Sequence, residues 1–422
     1  MNLLGIAKSR FSYLGGAHIL QLVLSLAGTI LIFRSLHPKD IGMVVSIVAL
    51  NGVMVVPVAS GLSKIYTSII SRRDDVAGAF YCSSFLIVVG VSLALAAVSY
   101  FYYLELSVVV VSFFLGACSI NKLNLRYVEE DKKYKLLAGT RVLAGISVFS
   151  IKLVAALFSS KIIFLFSFVF EAIIYMVLLR VPSRYYLDFE IGRNGLKDSI
   201  ALAMKLLPTE FAASFSLRYP ILLFSSLGLP ELAALYNAAS RIPDAVTGLA
   251  MALFSAVRPA AYRECSVGGL GRFPFESTKN YFAIIIGIVI MLAIFLPWIT
   301  PMIFGQAYDE VRYVSSIYAL ITIPIVLGSI QEVWLICNGY YRMSVYRVLL
   351  GGGASIVFVT LLFFEYRIIG AVIGVVLSAF VQAVFSNLVF KELRPIFYEQ
   401  FRLVRSIFRI KYFDLSDKSS QK

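Results

Sequence analysis

Charge and cysteine are both scarce in this chain. Charged residues make up 15% of its 422 residues against 59% hydrophobic ones, and the mean hydropathy is +0.86. Soluble globular domains carry about a quarter charged residues, so this balance excludes that class. The four cysteines, Cys82, Cys118, Cys265 and Cys337, show no CxxC or CxxH spacing. Neither a disulfide framework nor a zinc site is expected, and no metal or other cofactor. A glycine-rich stretch, SVGGLGRFP, lacks the Gly-Lys-Ser/Thr of a phosphate loop and follows no strand. Long polar loops are missing on the side that the charge pattern makes external, which argues against a membrane enzyme with catalytic residues in an outer loop.

What the sequence has instead is long apolar runs. About twenty apolar residues cross a hydrocarbon core, and about twelve runs of that length can be read. They centre on 13–33, 41–62, 77–100, 104–120, 138–158, 162–180, 200–226, 232–256, 281–303, 313–336, 343–364 and 368–390. The first run follows Lys8 and Arg10 but has no small-residue cleavage site before Arg34, and reads as a retained anchor. The formal charge of +14 would point to nucleic acid in a soluble protein. Here the basic residues fall in alternate loops, roughly 28 to 5, which is topology: both termini are expected in the cytoplasm and no nucleic-acid partner.

Charges inside the apolar runs are the candidate functional residues, because a charged group at the bilayer centre costs about 2.5–3.5 kcal/mol on insertion scales. Lys152 lies in the fifth run and Glu171 in the sixth, where the two could neutralise each other. The seventh holds Lys205, Glu210 and Arg218 together with Pro208 and Pro220, which predict a kink or unwound turn. The eighth carries Arg241 and Asp244, three residues apart and so on one helix face. In the first run His18, Gln21, Ser25 and Thr29 form one polar stripe. By charge and position, Lys152, Lys205, Arg218 and Arg241 are candidates for binding an anionic substrate. His18, Glu171, Glu210 and Asp244 are candidates for coupling to an ion. Phe397, Phe401, Val404 and Phe408 opposite Arg402, Arg405 and Arg409 predict an interfacial amphipathic helix in contact with membrane lipid.

Aligning Pro38 of FRSLHPKDIG with Pro230 of SSLGLPELAALY superposes Asp40 near Glu231 and the runs that follow, which suggests two six-helix halves. The expected units are 1–190, a first bundle with its linker, 191–390, a second bundle, and 391–422, a basic cytoplasmic tail. RSLHPKDIG, LGLPELAALYNAASRI, IFGQAYDEV and YRIIGAVIGVVLS also make the chain resemble the oligosaccharide or O-antigen flippases, within the superfamily that includes multidrug extrusion transporters and lipid II flippases. One departure stands in the seventh run, where relatives often have an acid and this chain has Arg218-Tyr219-Pro220. The resemblance implies an all-α membrane protein of twelve helices in two rocking bundles. Its implied cargo is undecaprenyl diphosphate carrying an oligosaccharide repeat unit, moved from the cytoplasmic to the periplasmic leaflet of a bacterial inner membrane. A polysaccharide polymerase and a chain-length regulator are the implied partners. An ion-coupled drug antiporter of the same superfamily is the alternative.

Overall fold

The computed structural model describes residues 3–70, 74–103, 106–130, 134–179, 192–267 and 273–408, so most of the mid-chain linker and glycine-rich stretch lies outside the described residues. Every regular element among them is helical. The first crossing is α1 (Leu3–Ser35), and the second is divided into α2 (Pro38–Met54) and α3 (Val56–Ile70). The division follows from Pro57, which has no amide to offer Val53. α4 (Asp74–Tyr103) is the third crossing, α5 (Leu106–Ala117) with α6 (Asn121–Glu130) the fourth, and α7 (Tyr134–Leu157) and α8 (Lys161–Leu178) complete the first lobe. The second lobe begins with α9 (Gly192–Ser226), α10 (Pro230–Val267) and α11 (Phe275–Phe304), followed by α12 (Arg312–Ala319) and α13 (Thr322–Cys337) as one crossing. α14 (Tyr341–Phe380) turns back at Arg367, φ 51°, and so supplies two crossings, the second continuing through a π-helical turn into α15 (Ser386–Val389). Ten segments are long and apolar enough to cross a membrane. One of them, 342–389, contains the bend and counts twice, and the more charged α9 completes twelve crossings. The protein is an all-α multi-pass membrane protein.

The bend in α14 is held by the glycine pair at 370 and 374. A Cβ at Gly374 would lie 2.7 Å from the backbone of Val359, and one at Gly370 would overlap the Leu362 carbonyl. The motif therefore serves close helix packing. α9 runs through Pro208 and Pro220 without the expected unwound turn. Pro220 leaves the Ser216 carbonyl without its helical donor, and the Ser355 hydroxyl of α14 supplies one at 2.9 Å.

Each lobe has its own apolar core, around Leu62 and Leu95 in the first and Phe282 and Ile330 in the second. A third core joins the lobes and draws on both, with Phe33, Ile41 and Ile47 from the first and Phe224, Tyr236, Phe304 and Val372 from the second. It lies at the end that carries the α1–α2 and α9–α10 turns. There α2 and α10, the two elements begun by Pro38 and Pro230, come so close that a Cβ on Gly42 would strike the Pro230 carbonyl.

The helix α16 (Arg394–Phe408) departs from the expected interfacial face. Its buried residues are Leu393 just before it, then Ile396, Gln400 and Leu403, while Phe401 is 64% exposed. Gln400 is docked by a closed set of amides. Its Nε2 donates to Gln331 Oε1 at 3.1 Å and to the Ala383 carbonyl at 3.0 Å, and Asn387 Nδ2 donates to Gln400 Oε1 at 3.0 Å. Of the stripe seen in the sequence, Phe401 faces outward, Phe397 is half-buried and Val404 packs against the core of the second lobe. The side chain of Phe408 and the whole of Arg409 lie outside the described residues.

Candidate functional site

Just inside the apolar core that joins the lobes lies a cavity of about 290 Å3. The first lobe contributes Val45, Val48 and Ala49 of α2 with Phe168 of α8. The polar side comes from the second lobe: Arg218 of α9, Asn237, Ser240, Arg241 and Asp244 of α10, and Tyr318 of α12. The spacing 237, 240, 241, 244 is the i, i+3, i+4, i+7 face of one helix, so α10 presents a polar stripe to the space between lobes.

The charges in this cavity are not locked to one another. Asp244 is exposed, though it sits mid-helix, and Tyr318 donates to it at 3.2 Å. Arg241 is half-buried and its Nε has no hydrogen-bond partner. Arg218 Nη1 donates weakly to the Ser214 carbonyl of its own helix at 3.4 Å. Its guanidinium packs against Gly52 of α2, where an added Cβ would come within 2.2 Å of Nε. Two guanidiniums and one carboxylate leave the cavity one positive charge in excess, with an Arg241 donor and the Asn237 Oδ1 acceptor unused. Arg is suited to a phosphate because its planar fork gives two parallel hydrogen bonds.

The remaining sequence candidates sit elsewhere. Lys152 is 3% exposed and its Nζ donates to Thr29 Oγ1 at 3.0 Å, 5.6 Å from the centre of the Phe168 ring. It stands behind the cavity wall, not in it. Glu171 does not pair with Lys152; it accepts from Gln21 Nε2 at 3.1 Å, and Tyr175 donates to Gln21 Oε1 at 3.3 Å. The stripe on α1 thus turns toward α7 and α8, within its own lobe. His18, half-buried on that stripe, does not line the central cavity. Glu210 lines a separate cavity of about 380 Å3 inside the second lobe, together with Glu332, Gln382 and Arg347. Arg347 belongs to this interior and not to a loop: it is 4% exposed and donates to the Gln382 carbonyl in the π-helical turn at 3.1 Å. The side chain of Lys205 lies outside the described residues. Asn237, Tyr318 and Gly52 were missed by sequence reasoning; Asn237 was within reach, one helical turn before Arg241.

A family model described as polysaccharide biosynthesis protein matches residues 31–312, about two thirds of the chain and the part that holds every residue of this cavity but Tyr318. The chain belongs to that family. No curated protein matches it. Among solved structures the chain is similar to the lipid II flippase MurJ in an inward closed conformation, with TM-score 0.69 and 12% identity over 94% of this chain and 91% of that one. It is also similar to an inward-facing multidrug resistance MATE transporter of the MOP superfamily, with TM-score 0.62 and 13% identity over 93% and 96%. A MOP superfamily transporter from Pyrococcus furiosus gives TM-score 0.56 and 15% identity over 96% and 97%. At these identities the likeness establishes the fold alone, an all-helical membrane fold of two lobes and twelve crossings.

Proposed function

We propose that this protein is a flippase for an oligosaccharide linked through a diphosphate to undecaprenol. The carrying observation is the pair Arg218 and Arg241, held at the lobe interface inside the membrane with an unused donor and only one carboxylate nearby. A diphosphate carries the charge and the paired oxygens that such forks bind. The lobes close over the cavity at the end with the α1–α2 turn, and the cargo enters from the other. With the charge bias of the loops, that entrance faces the cytoplasm of a bacterial cell and the sealed end faces the periplasm. Rocking the lobes about the cavity exchanges the two openings, and the lipid tail stays in the bilayer throughout.

The test is carried out in cells with the chromosomal copy replaced. Arg241→Ala should reach the membrane at the normal level, while lipid-linked oligosaccharide accumulates and surface polysaccharide falls. Arg241→Lys keeps the charge but loses the fork, and should restore part of the export. Full export by Arg241→Ala overturns the assignment. So does extrusion of a cationic drug by the wild type with no change in lipid-linked sugar on deletion, which would make the protein an antiporter.

A further inference from the structure

A cavity of about 770 Å3, more than twice the central volume, opens at the sealed end of the molecule. Both lobes build it. The α1–α2 turn gives His37 and Lys39, and the second lobe gives Glu231 at the start of α10, Glu310 just before α12, and Phe364 and Arg367 at the bend of α14. Its floor is the apolar core that joins the lobes. Leu235 faces this outer groove and Tyr236, the next residue, faces the central cavity, so one layer of side chains separates the two.

The two cavities differ in chemistry. The outer rim has two cations, Lys39 and Arg367, and two anions, Glu231 and Glu310, all exposed and none of them in an ion pair or side-chain hydrogen bond. This balance gives no net attraction to a diphosphate. His37 accepts the Lys39 backbone N–H on Nδ1 at 3.2 Å, which places its own proton on Nε2 as a further donor. Phe364, 68% exposed, offers an aromatic face in the wall. Arg367 is placed on the rim by a backbone conformation, φ 51° and ψ −128°, that a residue with a side chain adopts only when its surroundings impose it. Donors and acceptors spread around an apolar floor suit a ligand with closely spaced hydroxyls and C–H faces. The volume is within the range of about 300–1,000 Å3 common for small-ligand sites.

We propose that this outer groove binds the saccharide portion of the exported cargo on the receiving side of the membrane while the lobes are shut. This rests on the flippase reading above. Because the walls belong to both lobes, a bound glycan ties them together and favours the shut state, since it binds that state selectively. Export then slows as unused glycan builds up outside, before a later glycan-joining step consumes it.

The experiment uses the full chain in lipid nanodiscs. The probe is a set of lipid-free di- to tetrasaccharides made by partial acid hydrolysis of the host's own surface polysaccharide, followed by saturation-transfer NMR and calorimetry. Wild type should bind one of them. Glu231→Ala with Glu310→Ala, and separately Phe364→Ala, should each weaken binding by about fivefold or more, the effect of losing a hydrogen bond or a stacking face. Both should remain monodisperse with unchanged melting, as all three side chains are exposed. Inorganic pyrophosphate should not compete. Absence of binding to wild type, wild-type affinity in both groove variants, or displacement by pyrophosphate each overturns the proposal. Glycan binding read in this way is independent of transport: loss of export in Arg241→Ala with no groove binding leaves the flippase reading standing, and groove binding with unimpaired export in Arg241→Ala does the reverse.

Discussion

Arg34 should act as a latch between the lobes. It ends α1, and it donates from Nε to the Ile303 carbonyl at 2.8 Å and from Nη2 to the Met302 carbonyl at 2.5 Å, both in the last turn of α11. Those carbonyls have no donor within their own helix and lie at the negative end of its dipole, so a guanidinium is well matched to them. Hydrogen bonds to charged groups contribute about 1.5–3 kcal/mol each when sheltered. Arg34 is exposed and water can replace it, so we discount the pair together to about 1–2 kcal/mol. Arg34→Ala should therefore raise the ratio of open to shut outer face by about 5- to 30-fold. The assay places a cysteine at Asn237, in the central cavity, in a chain with its four native cysteines replaced. A membrane-impermeant thiol reagent is then added to the outside of intact cells. The labelling rate should rise by that factor in Arg34→Ala and by less in Arg34→Lys, which keeps one contact. An unchanged rate in Arg34→Ala at normal abundance refutes the latch.

Three other outcomes are expected. Gly52→Val should displace the Arg218 guanidinium and lower export with little loss of membrane protein, and wild-type export in this variant would show that Arg218 is not used where it lies. Gln400→Leu should strip one partner each from Asn387, Gln331 and the Ala383 carbonyl, although Asn387 and Gln331 still bond each other, destabilising the second lobe by about 1–3 kcal/mol, read as earlier melting in detergent; unchanged melting would mean that those remaining bonds suffice. Reporter fusions after Ser35, Ser160 and Tyr366 should score as periplasmic, and a consistent cytoplasmic score would reverse the orientation.

The crossings were legible because a bilayer leaves a helix no freedom over its apolar length, and because Pro38 and Pro230 mark equivalent starts. Arg241 and Asp244 were legible as one face for a similar reason: three residues on a helix are a local matter. The position of Lys152 was not, because nothing in its own run says that Thr29 of α1 would offer it a hydroxyl. Charge alone could not separate a cavity lining from a buried cation with satisfied neighbours. In the tail, the search for apolar periodicity selected Phe397 and Phe401 and passed over Gln400. A glutamine is readable as a core residue only once the two amides that satisfy it are known, and these come from Asn387, across the break before α16, and from Gln331, a whole helix hairpin earlier.

The bond from Ser355 to the carbonyl freed by Pro220 also decides which body α9 travels with. Tyr219 and Thr360 add a second hydroxyl contact at 2.7 Å between α9 and α14. α9 is thus stapled to the second lobe, and in the proposed rocking its other side, against α2 and α3, becomes the plane of shear. At mid-height that plane is smooth: Arg218 slides over a glycine and keeps its hydrogen bond with its own helix. Near the outer end Ser225 bonds Ser46 across it. Resistance to slip is therefore graded along the helix, firm beside the α1–α2 turn and slight beside the central cavity.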